Sequence, residues 1–316
     1  MIDNWRASHA FPLQVFFMNL KRRATDDTTL VAQRLKRLES IVDKLGREQG
    51  MELYRMQDLG GCRMVVSTVK DVYEKSEEYK NSRIRHELKK VNDYIENPKK
   101  SGYRSLHLVY RYVSDKDGKD VYEKYPLLIE LQFRSHLQHL WATAVETMGV
   151  CTNQALKAGK GSAQTKRFFV LVSSIFALME GCPVVPGTSD DIEALVKELK
   201  KIDSENHILL RLQGIREVID HEYGKEKKAQ NKKGYVLLVL NYKEHTVETT
   251  SYAPGQIEKA NSKYDQIEKH LHSEGKDLPL DVVLVRAKSM NAVKAAYPNY
   301  FMDIKEFLET IREYLK

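Results

Sequence analysis

Leu128-Ile-Glu-Leu-Gln-Phe-Arg134 decides the fold. Side chains on a strand alternate between its two faces. Ile129, Leu131 and Phe133 therefore point one way, and Glu130, Gln132 and Arg134 point the other. An apolar face seeks a core, whereas a carboxylate, an amide and a guanidinium in a row need partners or a purpose. The stretch 91–107 has the same two-sided character: Tyr103, Ser105 and His107 share a face opposite Leu106 and Leu108. Strands of this kind place an aromatic ring, an imidazole, a carboxylate and a guanidinium on one side of a sheet, which is a site rather than a core.

Working outward, Met64-Val-Val is expected to be a buried strand after a turn at Asp58, with Gly60 and Gly61 giving the backbone room beside it. Residues 28–48 show helical spacing, with Leu35, Leu38, Val42 and Leu45 on one stripe. On that helix Lys36, Ser40 and Lys44 share a second, polar face. Two lysines and a hydroxyl in line can grip a triphosphate, and an ordinary solvated face explains the same spacing. Asp71 to Lys80 is expected to be a helix. Residues 104–113 and 127–134 are expected to be strands around the turn signal Ser114-Asp-Lys-Asp-Gly118. Helices are expected from His136 to Met148 and from Arg167 to Glu180, the second stopped by Gly181.

The segment Cys182-Pro-Val-Val-Pro-Gly-Thr-Ser189 marks a boundary, and residues 225–234 form a charged linker. The expected domains are residues 1–181, a helical connection over 182–233, and a small module over 234–316. In that module strands are expected at Tyr235–Leu240, Thr246–Tyr252 and Asp281–Arg286. Helices are expected at Gln256–His272, at Met290–Ala296 and from Ile304. The fold class is α+β: a mixed sheet flanked by helices, followed by a small α/β C-terminal domain.

The chain has 316 residues, a formal net charge of +7 and a pI near 9.0, so anionic partners are favoured. Three cysteines, Cys62, Cys151 and Cys182, have no metal-type spacing and fit a reducing, cytoplasmic setting. No apolar run reaches membrane-spanning length, and Asp3 and Asn4 argue against a signal peptide.

Four blocks follow one another in order. They are Arg34-Leu-Lys36-Arg-Leu-Glu-Ser40-Ile-Val-Asp-Lys44-Leu, Asp58-Leu-Gly-Gly61-Cys-Arg63, Asp93-Tyr94-Ile95 through Pro98-Lys99 to Gly102-Tyr103-Arg-Ser-Leu-His107, and Glu130-Leu-Gln132-Phe-Arg134-Ser135. Together they resemble the synthetase domain of the RelA/SpoT family, which moves pyrophosphate from ATP to a ribose 3′-hydroxyl. The resemblance implies a nucleotidyltransferase-like synthetase domain over about residues 1–180. It assigns Asp58 and Glu130 to Mg²⁺, with Glu130 also a base toward the 3′-hydroxyl. It assigns Arg34, Lys36, Ser40, Lys44 and Arg63 to ATP, and Tyr103, His107, Lys99 and Gln132 to the acceptor. Tyr103 would be the platform for the acceptor's base. Asn92 stands where the family often has a lysine.

The shared blocks serve two branches of the family: alarmone synthetases, whose acceptor is GDP or GTP, and toxins that modify the 3′-terminal adenosine of tRNA. The basic excess and the missing lysine at Asn92 lean toward the tRNA acceptor end. Near the C-terminus, Tyr297-Pro-Asn-Tyr300 resembles the Tyr-x-x-Tyr element of the capsid-sensing CapRel group of fused toxin–antitoxin proteins. That resemblance implies self-restraint at the ATP pocket by Tyr297 and Tyr300, released by a phage capsid protein in anti-phage defence. The same rings also serve to anchor a terminal helix. A toxin of this kind is the first expectation. The alternatives are a (p)ppGpp synthetase with a regulatory or oligomerising tail, and a sensor without catalysis, against which the presence of both Asp58 and Glu130 argues.

Overall fold

The computed structural model describes residues 2–24, 29–36, 38–116, 119–120, 125–155, 162–224, 234–241, 246–273, 280–286 and 300–316. They fall into two compact units, residues 1–139 with 177–186, and residues 140–176 with 187–316. The passage from one unit to the other at Pro186–Gly187 lies inside the proline- and glycine-bearing segment 182–189.

The first unit contains helices α1 (Ile2–Ser8), α2 (Ala10–Lys21), α3 (Leu38–Arg47) and α4 (Val69–Lys80). Its strands are β1 (Leu30–Leu35), β2 (Gly60–Val66), β3 (Glu87–Asp93) and β4 (Leu106–Arg111), the two-residue strands β5 (Asp115–Lys116) and β6 (Lys119–Asp120), and β7 (Leu128–Ser135). Five of them form one sheet in the order β1-β2-β7-β4-β3. Strands β2 and β7 are parallel and the other neighbours antiparallel, so the sheet is mixed, as expected.

The expected alternation on β7 holds. Ile129, Leu131 and Phe133 join Cys62 and Met64 of β2 and Leu106 and Leu108 of β4 in one buried cluster. Leu13, Phe16 and Leu20 of α2 and Val72 and Tyr79 of α4 complete it. Each such side chain gains roughly 1.5–3 kcal/mol on leaving water, which fixes the face each strand turns inward. Helix α4 starts on a capping box: the Thr68 hydroxyl accepts from the Asp71 N–H, and the Asp71 carboxylate accepts from the Thr68 N–H. Where β7 runs into α5, Ser135 and Gln138 exchange bonds in the same manner.

Residues 28–48 correct the sequence reading. They are not one helix: residues 30–35 are edge strand β1, paired with β2 from Leu30↔Val65 to Leu35↔Gly60, and only Leu38–Arg47 is helical. The helical stripe was also misplaced. Ile41 is fully buried with Met56 and Leu59, whereas Leu38 and Val42 are 43% and 51% exposed. Apolar residues at helical spacing had masked a short run whose backbone finds better partners on β2. A second correction concerns 91–107, which is not one strand. Strand β3 ends at Asp93, a turn follows, and β4 begins at Leu106. Asp93 builds that turn, its carboxylate accepting from the N–H groups of Ile95 and Glu96 at 2.9 and 3.1 Å.

The second unit holds most of α5 (His136–Ala155) and α6 (Ser162–Met179), then α7 (Ile192–Asn206) and α8 (Ile208–Gly224). Strands β8 (Tyr235–Asn241), β9 (Thr246–Tyr252) and β10 (Leu280–Arg286) form an antiparallel sheet in the order β10-β8-β9, with α9 (Ile257–Ser273) packed on it. The closing helix, α10 (Tyr300–Tyr314), buries Ile304, Phe307, Leu308 and Ile311. The Phe307 ring lies 6.2 Å from Phe169 and 6.0 Å from Phe176 of α6. The expected helix at 290–296 and Tyr297 lie outside the described residues, as does the side chain of Tyr300.

Candidate functional site

The site-bearing face of the sheet is the one turned away from the core cluster. Residues opposite one another in register share a face. One row across the strands is therefore Ala32, Arg63, Gln132, His107 and Asn92, and the next is Arg34, Gly61, Glu130, Val109 and Lys90. Tertiary pairing thus brings Arg34, Arg63, Asn92, His107, Glu130 and Gln132 onto one surface from five strands. Gly61 sits beside Glu130 with no side chain to screen it.

Asp58 lies two residues before β2, beside the start of β7 with which β2 runs parallel. Its two carboxylate oxygens are shared between two lysines: Lys36 Nζ donates to Oδ2 at 2.6 Å and Lys44 Nζ to Oδ1 at 3.2 Å. Lys36 comes from the turn after β1 and Lys44 from α3, so the two lysines converge although no single helix carries them. Burial pushes the Asp58 carboxyl up, but the hydrogen bonds and charges of Lys36 and Lys44 outweigh it and hold it below its usual range. Arg34 and Ser40 are exposed.

Glu130 is held differently. His107 Nδ1 lies 2.9 Å from its Oε1, and the Gln132 amide donates to its Oε2 at 2.7 Å. Because a carboxylate only accepts, Nδ1 carries the hydrogen. The Tyr103 hydroxyl meets His107 Nε2 at 2.7 Å. Arg134 Nη2 closes the circuit, donating to the Tyr103 hydroxyl at 2.8 Å and to Gln132 Oε1 at 3.0 Å. Burial pushes the Glu130 carboxyl up; His107, by hydrogen bond and charge, and Gln132 bring it below its usual value, and the Asp58 charge acts against them. The Asp58 charge thus reaches Glu130 although 72 positions separate the two in the chain. His107 is lowered by burial and raised further by Tyr103 and Glu130, for a net upward shift. For Tyr103, burial opposes ionisation, but Arg134 and His107 overcome it and draw the phenol down to about 7.

The acceptor side is aromatic. Gly102, at φ +90, turns the chain so that Tyr103 enters the face from outside the strand. The Tyr94 ring packs edge-on against His107 and Tyr103, at 5.2 and 6.0 Å between centroids. Lys99 Nζ lies 4.1 Å from the Tyr94 centroid and 5.3 Å from that of Tyr103, a cation held by ring faces rather than by a carboxylate. Ser105, expected beside Tyr103 and His107, lies just ahead of β4 and instead donates to the Phe133 carbonyl of β7 at 2.9 Å. Two participants carried no assigned role from the sequence. Arg134 was legible on the polar face by alternation, and Tyr94 lay within the third block. Glu180 pairs with buried Arg104 at 2.5 Å and also takes the Ser135 hydroxyl, tying the start of β4 to the end of β7.

Among the described residues no group of three or more His, Cys, Asp or Glu side chains forms a complete metal cage. Two carboxylates of which one feels the charge of the other fit a hard divalent cation that completes its shell with phosphate oxygens and water, the usual habit of Mg²⁺. Also among the described residues, no helix is long and apolar enough to cross a membrane.

Residues 33–149 match the family described as "Region found in RelA / SpoT proteins", a span that includes all four sequence blocks. The GTP pyrophosphokinase YwaC of Bacillus subtilis (strain 168) is 34% identical over 119 residues, 35% of this chain and 52% of that protein. The GTP pyrophosphokinase YjbM of the same organism is 34% identical over 116 residues, 36% of this chain and 52% of that protein. The chain thus spans about half the length of the curated relatives it matches. Among solved structures, small alarmone synthetase 1 from Bacillus subtilis aligns with 22% identity and a TM-score of 0.46, covering 57% of this chain and 92% of that one. Residues 33–149 are therefore similar to a region found in RelA/SpoT proteins and to part of two proteins named GTP pyrophosphokinases.

Proposed function

We propose that the protein is an ATP-dependent pyrophosphokinase that transfers a diphosphoryl group to the 3′-hydroxyl of GDP or GTP. What supports this reading is that Asp58, bridged by two lysines, lies close enough for its charge to act on Glu130, which is held in a buried hydrogen-bonded ring. The printed names of the relatives, both GTP pyrophosphokinases, favour the guanine nucleotide as acceptor.

In this reading Lys36 and Lys44 leave Asp58 for the phosphates of ATP, helped by Arg63, and Arg34 at the sheet edge takes the adenine side. A guanidinium suits stacking and bidentate phosphate contact better than an ammonium does. Asp58 and Glu130 would hold a divalent ion such as Mg²⁺, which would supply positive charge against that developing in transfer. Glu130, kept ionised by His107 and Gln132, receives the proton of the attacking 3′-hydroxyl. In the same reading Tyr103 and Tyr94 offer rings to the acceptor base, acceptor phosphates replace the ring contacts of Lys99, and His107 stays bonded to the Tyr103 hydroxyl beside them. Holding both substrates in line on a rigid sheet is itself a large part of the rate enhancement.

A second reading, a toxin acting on the tRNA acceptor end, draws on one position. Asn92 faces His107 in register and brings no charge to the acceptor row, which suits a terminal adenosine on a phosphodiester better than a nucleoside diphosphate. Its restraint by Tyr297 and Tyr300 and its release by a phage capsid protein belong to the same reading. Incubation with ATP labelled in the β-phosphate and GDP, GTP or deacylated tRNA tests both. Label in GDP or GTP is expected. Label in tRNA alone would replace the first reading by the second, and label in none would refute both.

A further inference from the structure

We infer that Arg134 is a positioning residue for the transfer: from one nitrogen it sets the direction of two hydrogen-bond chains that converge on the Glu130 carboxylate. The inference rests on the pyrophosphokinase reading of the site.

The argument is one of hydrogen-bond polarity. A guanidinium has donors and no acceptor. Nη2 of Arg134 carries two hydrogens, and it donates to the Tyr103 hydroxyl at 2.8 Å and to Gln132 Oε1 at 3.0 Å. On the first branch, a hydroxyl that accepts from Arg134 gives its own proton to His107 Nε2, 2.7 Å away. The imidazole then holds its hydrogen on Nδ1, aimed at Glu130 Oε1. On the second branch, an amide that offers its oxygen to Arg134 must turn its NH₂ group toward Glu130 Oε2 at 2.7 Å. Each carboxylate oxygen thus receives one inner hydrogen bond and retains an outer lone pair for the reacting hydroxyl or the metal.

Without Arg134 both branches lose their direction. The Gln132 amide can flip and set its oxygen against the carboxylate, and His107 can adopt the tautomer that places a bare nitrogen there. Arg134 is 4% exposed and comes from the same rigid strand as Gln132 and Glu130, two and four residues along. Its guanidinium carbon also lies 5.2 Å from the Tyr103 ring centroid. A base laid on Tyr103 therefore rests on the same circuit that orients Glu130, so acceptor binding and orientation of the base are physically connected.

The experiment is steady-state kinetics of the full chain with ATP and GDP, alongside near-ultraviolet titration of tyrosinate. Arg134→Met is expected to lower kcat by about 100-fold, the low end of what a positioned base contributes, while KM for ATP stays within about threefold. Arg134→Lys, which restores N–H donors, is expected to recover part of that loss. Tyr103→Phe keeps the ring and the fold but breaks one branch; it is expected to lower kcat by about tenfold with acceptor KM nearly unchanged. In the titration, the phenol that ionises near 7 in the wild type should vanish in Tyr103→Phe and move upward in Arg134→Met. Wild-type kcat in Tyr103→Phe overturns the inference. So does loss of activity in Arg134→Met that only follows its loss of folded protein. A folded wild type that transfers nothing to GDP, GTP or tRNA, yet shows the titration, overturns the pyrophosphokinase premise instead.

Discussion

The two carboxylates of the site are neutralised in opposite ways. Asp58 is matched by two charged, partly solvated lysines from separate elements, its side chain 26% exposed and theirs 20% and 22%. Glu130 is matched by an imidazole and an amide that belong to a closed ring, with side-chain exposures of 13% and 7% for Glu130 and His107. Cations on flexible stems can be drawn away by a triphosphate at little cost, since partly exposed ion pairs contribute only about 0–1 kcal/mol each. A ring of directed hydrogen bonds in a dry setting resists exchange. The Asp58 side is built to trade partners and the Glu130 side to keep them, as expected if donor phosphates and metal enter beside one and proton transfer occurs at the other.

The sharpest way to break this contrast is Glu130→Gln. It preserves shape and hydrogen-bonding capacity but removes the base, and kcat is expected to fall by about 10²- to 10⁴-fold with ATP binding, measured by calorimetry, nearly unchanged. An equally large loss of ATP affinity would show that both carboxylates serve the donor.

Asp58→Asn should act in the opposite sense on binding. With the lysines released, ATP in the absence of divalent metal is expected to bind about tenfold more tightly than to the wild type, a difference of roughly 1.4 kcal/mol. The strengthening that Mg²⁺ gives the wild type should largely disappear. In a Lys36→Met/Lys44→Met background the gain from Asp58→Asn should shrink; if it persists undiminished, simple repulsion between Asp58 and phosphate explains it and the lysines are not exchangeable partners.

Acid should reveal both sites. Asp58 and Glu130 have folded pKa values below their ordinary ones. Their contribution to stability is therefore complete above the unfolded carboxyl range near about 4 and is lost as pH falls through the lower folded values. Melting temperature followed from neutral pH downward should drop in that acid window, and the drop should be smaller in Asp58→Asn. A decline confined to pH above the carboxyl range would contradict the assignment. The smallest effect belongs to Lys44→Met, whose bridge to Asp58 is the longer of the two at 3.2 Å. About 0.5 kcal/mol of stability and a rise of about twofold to fivefold in KM for ATP are expected, both diminishing as salt is added.

The second unit bears on how a C-terminal restraint can be tested. Phe307 of α10 is fully buried against Phe169 and Phe176 of α6, so deleting residues 235–316 uncovers those rings. Truncation thus mixes release with unpacking. Substitution of Tyr297 and Tyr300 in the full chain, read by product formation, separates them, and unchanged activity would count against restraint by these rings.

Much of the site was legible because strand alternation is local. Leu128 to Arg134 declared both its faces, and the structure honours that division from Ile129 to Phe133. Asp58 before a strand and Glu130 within one were likewise readable, since a carboxylate among apolar neighbours demands a partner. The element carrying Lys36 was not readable. Residues 30–35 hold apolar residues at positions that satisfy a helix continued through Leu38 and Val42, and only the backbone pairing with β2 breaks the tie. Ser105 failed for a related reason: alternation assigned it a face, but a chain that has not yet joined the sheet at residue 105 follows its hydrogen bonds instead.

Residue types and their order along the chain determined which groups the site contains, because side-chain chemistry and period-two alternation need no distant information. Tertiary structure alone decided the company each group keeps. Arg134 of β7 meets Tyr103 ahead of β4, Lys36 and Lys44 close on one carboxylate from different elements, and Asp58 reaches the field of Glu130. Those meetings depend on strand order and register, which arise when separate segments bury their apolar faces together. No window of sequence short enough to read by pattern contains them.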